Sequence, residues 1–265
     1  MKHKYALLII SSLFLSTFFP YPESSYADVT FESLLDTDGQ PKVIVKITSQ
    51  ITEYDYHSIN KFLNNKVEEA YVDFDVDSLG GDVEAAINIG RLARKYNASV
   101  SSIYGTCASS CVFILAGGVD RHLLSSIVGI HRPFLPNDNE TTIQGQKKQQ
   151  NKWEAIIKEY LKSVNISTDL YDEMFRIEPS DMKILTSAEL ERYGLNKPDP
   201  YWQDAQDTIS ANRYGLTKQE YIKRNAKANS ICYSTSIGGL KNTLQITSKC
   251  VDNILNGLDP LTGIH

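Results

Sequence analysis

The sequence predicts an α/β fold built on parallel strands, and three observations carry that prediction. Short runs rich in Val, Ile and aromatic residues, at 42–48, 70–76 and 99–104, alternate with segments whose apolar residues recur at helical spacing. Glycine pairs, Gly80-Gly81 and Gly117-Gly118, punctuate the passages between them. The chain has 265 residues, 42% hydrophobic and 22% charged, enough for one sizeable core and an appendage. Strands that alternate with helices need crossover connections, and crossovers join parallel neighbours.

In chain order, the first segment stands outside that core. Lys2 and Lys4 precede an apolar run at 5–19, and Ser25-Tyr26-Ala27 offers small residues where a signal peptidase cuts. A run of about 15 residues is short for a membrane span. Residues 1–27 are therefore expected to be a signal peptide cleaved after Ala27, with a retained anchor as the alternative. No second long apolar run follows, and no cysteine stands at the cleavage region directly after the first, so neither a stable membrane span nor a lipid anchor is expected. The expected product is a periplasmic or secreted protein, with a main domain at 28–198 and an extension at 199–265.

Losing Lys2, Lys4 and Glu23 moves the formal net charge from −5 to about −6, and no basic patch offers itself to nucleic acid. All four cysteines remain. In an exported chain they are disulfide candidates, Cys107 with Cys111 and Cys232 with Cys250 by proximity. Buried free thiols are the alternative.

Residues 42–48 read as a strand, with Val43, Val45 and Ile47 on one face. Thr52 can cap a helix that presents Tyr56, Ile59, Phe62 and Leu63 and ends near Asn64-Asn65. The next strand, 70–76, carries Asp73 and Asp75, which with Asp77 and Glu84 imitate a calcium loop. That loop needs glycine at its sixth position, where Ser78 stands, and Val72, Phe74 and Val76 alternate with the carboxylates, so a half-buried strand is the better reading. A helix at 83–96, a strand at 99–104, an apolar helix at 112–116 and a short apolar strand that starts at Ile127 and ends on His131 follow. Residues 133–149 are polar and read as a loop, either a lid or a solvated insertion. Helices are expected at 151–164 and 168–176, and Thr186 with Glu189 forms a capping box for a helix that stops at Gly194. Asn196-Lys197-Pro198-Asp199-Pro200 reads as a linker, followed by a helix near 218–228 and a segment bracketed by Cys232 and Cys250.

The chemistry concentrates between Asp77 and His131. Ser78-Leu79-Gly80-Gly81 comes first, then Gly105-Thr106-Cys107-Ala108-Ser109-Ser110-Cys111 with its apolar run, then Ile130-His131-Arg132-Pro133. This order and spacing resembles the ClpP-type serine peptidases of the crotonase-like superfamily, over roughly residues 43–195. The Cys-Ala-Ser-x-Cys surroundings of the serine are similar to exported bacterial relatives. The resemblance implies a spiral of ββα units, homo-oligomers, and cleavage of peptide or unfolded-protein substrates. No ATP-driven unfoldase works outside the cytoplasm, so an ATP-independent enzyme is expected.

On that resemblance Ser109 is the nucleophile, activated by His131 as general base. The N–H groups of Gly81 and Ser110 form the oxyanion hole. The orienting aspartate is the point of departure. The family position, counted back from Tyr193-Gly194-Leu195, falls on Met182, and Asp181 lies one residue early. A one-residue shift along a strand turns a side chain to the other face, so Asp181 reaches His131 only through a reshaped loop. A backbone carbonyl or a water is the alternative orienting group.

Two Ser-x-x-Lys matches, Ser58 to Lys61 and Ser180 to Lys183, lack the companion motifs of a β-lactamase. No Gly-x-Ser-x-Gly, His-Glu-x-x-His, phosphate loop or Cys-x-x-Cys is present, so neither cofactor nor metal is expected. The rival readings are a catalytically weak crotonase-fold binding protein that engages a partner through the extension, and acyl-thioester chemistry, which export away from coenzyme A disfavours.

Overall fold

Strict alternation in the first strands decides how the sheet is built. Val43, Val45 and Ile47 are all buried in β2 (Pro41–Ile51), as are Val72, Phe74 and Val76 in β3 (Tyr71–Gly81), and the two strands run parallel. The computed structural model describes residues 28–36, 39–66, 70–133, 143–232 and 240–264; the expected signal peptide lies outside them. Ahead of β2, β1 (Asp28–Leu35) pairs with it antiparallel, and Phe31 stacks on Phe62 of α1 (Glu53–Lys66) at 4.1 Å between centroids. This strand was not foreseen.

β3 is the hinge of the architecture. Its residues 73–75 pair with β4 (Ser99–Ile103), which pairs onward with β6 (Asp120–Leu124). Farther along, Ser78 pairs instead with β5 (Thr106–Ala108), which pairs with β7 (Ile127–Ile130), all parallel. Antiparallel β8 (Lys183–Ile184) closes that second ladder. One strand thus feeds two ladders, and the chain turns from one into the next as the expected spiral requires.

The helices cover the sheet with their apolar stripes. α2 (Val83–Lys95) is capped by Asp82, which accepts the Ala85 N–H at 2.7 Å, and buries Ala86, Ile89 and Ala93. It meets α3 (Cys111–Gly117) almost backbone to backbone, since a Cβ on Gly117 would fall 2.2 Å from the Gly90 carbonyl oxygen. Tyr160 of α4 (Ile143–Ser163) reaches the same junction and donates to the Phe113 carbonyl at 2.6 Å. Helix α4 begins earlier than expected: residues 143–149 are helical, and 134–142 of the expected loop lie outside the described residues. α5 (Asp169–Arg176) and α6 (Ser187–Tyr193) follow, the latter with the expected capping box and with Gly194 at φ +90°.

The segment read as a linker is packed instead. Asp199 is 2% exposed and caps α7 (Pro200–Arg213) by accepting the Tyr201 and Trp202 N–H groups. Its other oxygen takes Asn165 at 2.7 Å and the Arg94 guanidinium at 2.9 Å. Burial pushes this carboxyl up, but the bonds from Asn165, the Trp202 N–H and Arg94 outweigh it and hold the group below its ordinary value. Beside it, buried Arg121 donates to the carbonyls of Ala116, Val164, Gly194 and Lys197, and burial, then repulsion from Arg94, lowers its pKa to about 10. α8 (Lys218–Cys232) and α9 (Leu240–Leu255) form a small second core of Ala228, Cys232, Cys250 and Ile254. Among the described residues no helix is long and apolar enough to cross a membrane.

Candidate active site

Two backbone turns meet at the candidate site. The first ends β3, where Gly80 has φ +103°. A Cβ there would fall 2.7 Å from the Ser109 Cβ and 2.9 Å from the Ala108 carbonyl oxygen. Only glycine lets this turn lie against the serine turn, and a Cβ on Gly81 would strike the Ile51 carbonyl at 2.1 Å. Ser78 shapes the bend from inside: its hydroxyl donates to the Ser49 carbonyl and accepts the Gly80 N–H.

The second turn joins β5 to α3. Ser109 sits in it with φ +55°, its N–H donated to the Gly129 carbonyl at 2.9 Å. Ser110 follows as the cap of α3, whose seven residues are all buried. The two serines differ in environment: Ser109 is half-buried, whereas Ser110 is 1% exposed and its hydroxyl has no hydrogen-bond partner among the described residues. Asp77 steadies the entry to this turn by accepting the Thr106 N–H at 2.8 Å. Cys107 and Cys111 are joined across it, and Cys232 and Cys250 are joined in the extension, the two pairings expected from the sequence.

His131 follows β7 directly and is nearly buried. Its Nδ1 lies 2.9 Å from the Arg132 carbonyl, which can only accept, so Nδ1 carries the proton and a neutral ring keeps Nε2 as its basic nitrogen. Arg132 is itself held, by its N–H to the Ile177 carbonyl and by its guanidinium to Glu178. Ser109 and His131 line one groove of about 960 Å³, together with Gly80, Gly81 and, from α4, Trp153 and Lys152.

Asp181 is placed differently. It is exposed, its N–H closes a turn onto the Glu178 carbonyl, and among the described residues no hydrogen bond or ion pair joins it to His131. The ladder explains why. Gly129 pairs with Ile184 and Ile130 with Lys183, so the next step of the register sets Met182 level with His131. The Met182 sulfur lies over Gly129, 2.7 Å from where a Cβ there would be, which puts Met182 on the face that Gly129 and His131 share.

The lysines of the two Ser-x-x-Lys matches stand elsewhere. Neither Lys61 nor Lys183 lines the groove. Lys183 is held between Glu173 and Glu189, and hydrogen bonds to those two carboxylates raise its pKa, the reverse of what a lysine base needs. Sequence reasoning quoted Asp77 and Ser78 in the glycine turn without giving either a role, and offered a backbone carbonyl as the alternative orienting group without saying which, because a backbone acceptor leaves no trace in side-chain chemistry.

A mixed α/β sheet whose parallel strands bring a serine, a histidine and a glycine turn to one groove is consistent with the ClpP class of fold. The Clp protease family model matches residues 36–196, more than half of the chain, and the chain belongs to that family. Comparison with curated proteins yields no match. Helices α7 to α9 lie beyond the matched span.

Proposed function

We propose that this protein is an exported, ATP-independent serine peptidase that cleaves peptides or unfolded segments through an acyl-enzyme on Ser109. The observation that carries the reading is the shared groove of Ser109 and His131, with the Gly80-Gly81 turn against the serine. In this reading His131 Nε2 takes the Ser109 proton as the hydroxyl oxygen attacks the scissile carbonyl. Negative charge on that oxygen is received by the Gly81 and Ser110 N–H groups, each donor contributing about 2.7–4 kcal/mol in the transition state. The imidazolium then returns its proton to the departing amine, and water repeats the sequence to release the acyl group. The Arg132 carbonyl fixes the ring tautomer; Asp181 is the second candidate for the orienting role and needs movement of its turn to fill it.

Two disulfides and the leader pattern support export. Membership of the family supports assembly of several copies. Fluorophosphonate labelling tests the proposal: an adduct retained in Ser110→Ala and lost in Ser109→Ala supports it. A folded chain that takes no label argues for the binding-protein reading instead.

A further inference from the structure

The turn that carries Ser109 is spanned by a covalent bond. Cys107 is the middle residue of β5, paired with Ser78 of β3 on one side and Val128 of β7 on the other. Cys111 is the first residue of α3. Their disulfide bridges Cα atoms 5.2 Å apart and encloses Ala108, Ser109 and Ser110 alone. Both cysteines are fully buried, so thiol reagents reach the bond only when the turn opens.

Within this small ring Ser109 keeps a left-handed backbone, φ +55°, which a non-glycine residue holds only where its surroundings enforce it. Gly80 presses on one side of the turn and the Gly129 carbonyl holds its N–H on another, while the disulfide ties the strand before it to the helix after it. A ring so short removes less freedom from the unfolded chain than the 18-residue separation of Cys232 and Cys250 does. Its distinctive effect is therefore local, on the direction of the Ser109 hydroxyl and of the N–H that follows it.

We infer that Cys107 and Cys111 are positioning residues whose disulfide sets the Ser109 turn, so that oxidation of this pair makes the nucleophile competent. The inference rests on Ser109 being the nucleophile. The oxidant is a disulfide-bearing molecule: one cysteine thiolate attacks it and releases the first thiol, and the second cysteine thiolate displaces the other. One S–S bond forms as one breaks, two cysteine thiols are oxidised, and their protons leave with the two thiols produced. A chain still in its reduced form carries a slack turn and little activity, so the enzyme gains its activity with its disulfide.

The test measures the rate of fluorophosphonate labelling and the melting temperature of three full chains: wild type, C107A/C111A and C232A/C250A, all oxidised. Wild type and C232A/C250A are expected to label alike. C107A/C111A is expected to label on Ser109 about ten- to a hundredfold more slowly while still folded, the size of effect that a small misplacement of a reacting group produces. Labelling of folded C107A/C111A at the wild-type rate overturns the inference and leaves the peptidase reading standing; absence of labelling in wild type overturns that reading, and the inference with it. Should C107A/C111A not fold, native C232A/C250A is reduced and its thiols counted by alkylation. Labelling that falls with the one remaining disulfide and returns on reoxidation upholds the inference; labelling unchanged with both thiols free overturns it.

Discussion

At the scale of single residues, the contact between His131 and the Arg132 carbonyl bears most directly on the proposed role of the ring as base. Its Nδ1 donates to a neutral backbone carbonyl at 2.9 Å, and a carbonyl stabilises an imidazolium less than a carboxylate does. His131→Ala removes the base and is expected to lower acylation by about 10³–10⁴-fold. Asp181→Asn is expected to cost less than about tenfold, because the Arg132 carbonyl already holds the ring, whereas loss of the carboxylate from a complete triad costs about 10⁴. Peptide hydrolysis by the two variants, side by side, checks both; a loss in Asp181→Asn equal to that in His131→Ala means that Asp181 moves into contact during turnover. The departure at Met182 was legible by counting residues. Why it matters was not, since only the β7–β8 register shows that Met182 shares a face with His131.

At the scale of elements, the glycine turn of β3 and the serine turn before α3 form one unit. Gly80→Ala adds a Cβ within 2.7 Å of the Ser109 Cβ at a backbone φ of +103°, so both sterics and strain oppose it. We expect a destabilisation of about 2–4 kcal/mol and loss of labelling, read by melting and by fluorophosphonate rate. Strands with strict alternation and helices with wide apolar stripes were readable in one dimension. β6 was not, because Asp120-Arg121-His122 reads as exposed charge while Arg121 is buried against four carbonyls. β8, two residues long, carries no periodicity to read, and β1 escaped attention although Val29 and Phe31 alternate with Thr30 and Glu32. For 143–149 the polar composition suggested a loop, and a helix with a solvated face fits it equally well.

At the scale of the whole molecule, Asp199 couples the extension to the matched domain. It caps α7, pairs with Arg94 of α2, and donates its backbone N–H to the Val119 carbonyl at 2.7 Å. Proline on either side disguised it as a linker residue. Its folded pKa is depressed, so the folded chain binds fewer protons there than the unfolded chain. That stabilisation is complete well above the ordinary value of 3.8 and is lost as pH falls through the lower, folded value. Asp199→Asn keeps an acceptor for the cap and loses the charge; about 2 kcal/mol of stability should disappear near neutral pH, given that Arg94 remains partly hydrated. Melting curves should show the two proteins converging as pH drops below 3.8, and a gap that widens with acid would contradict this account.

The most direct measurement of the central claim is acid-quenched mass spectrometry during turnover of a peptide ester. The account predicts an acyl group on the peptide that contains Ser109, formed before product accumulates and absent in both Ser109→Ala and His131→Ala. Hydrolysis that continues at the wild-type rate in Ser109→Ala, with no acylated intermediate, would contradict it.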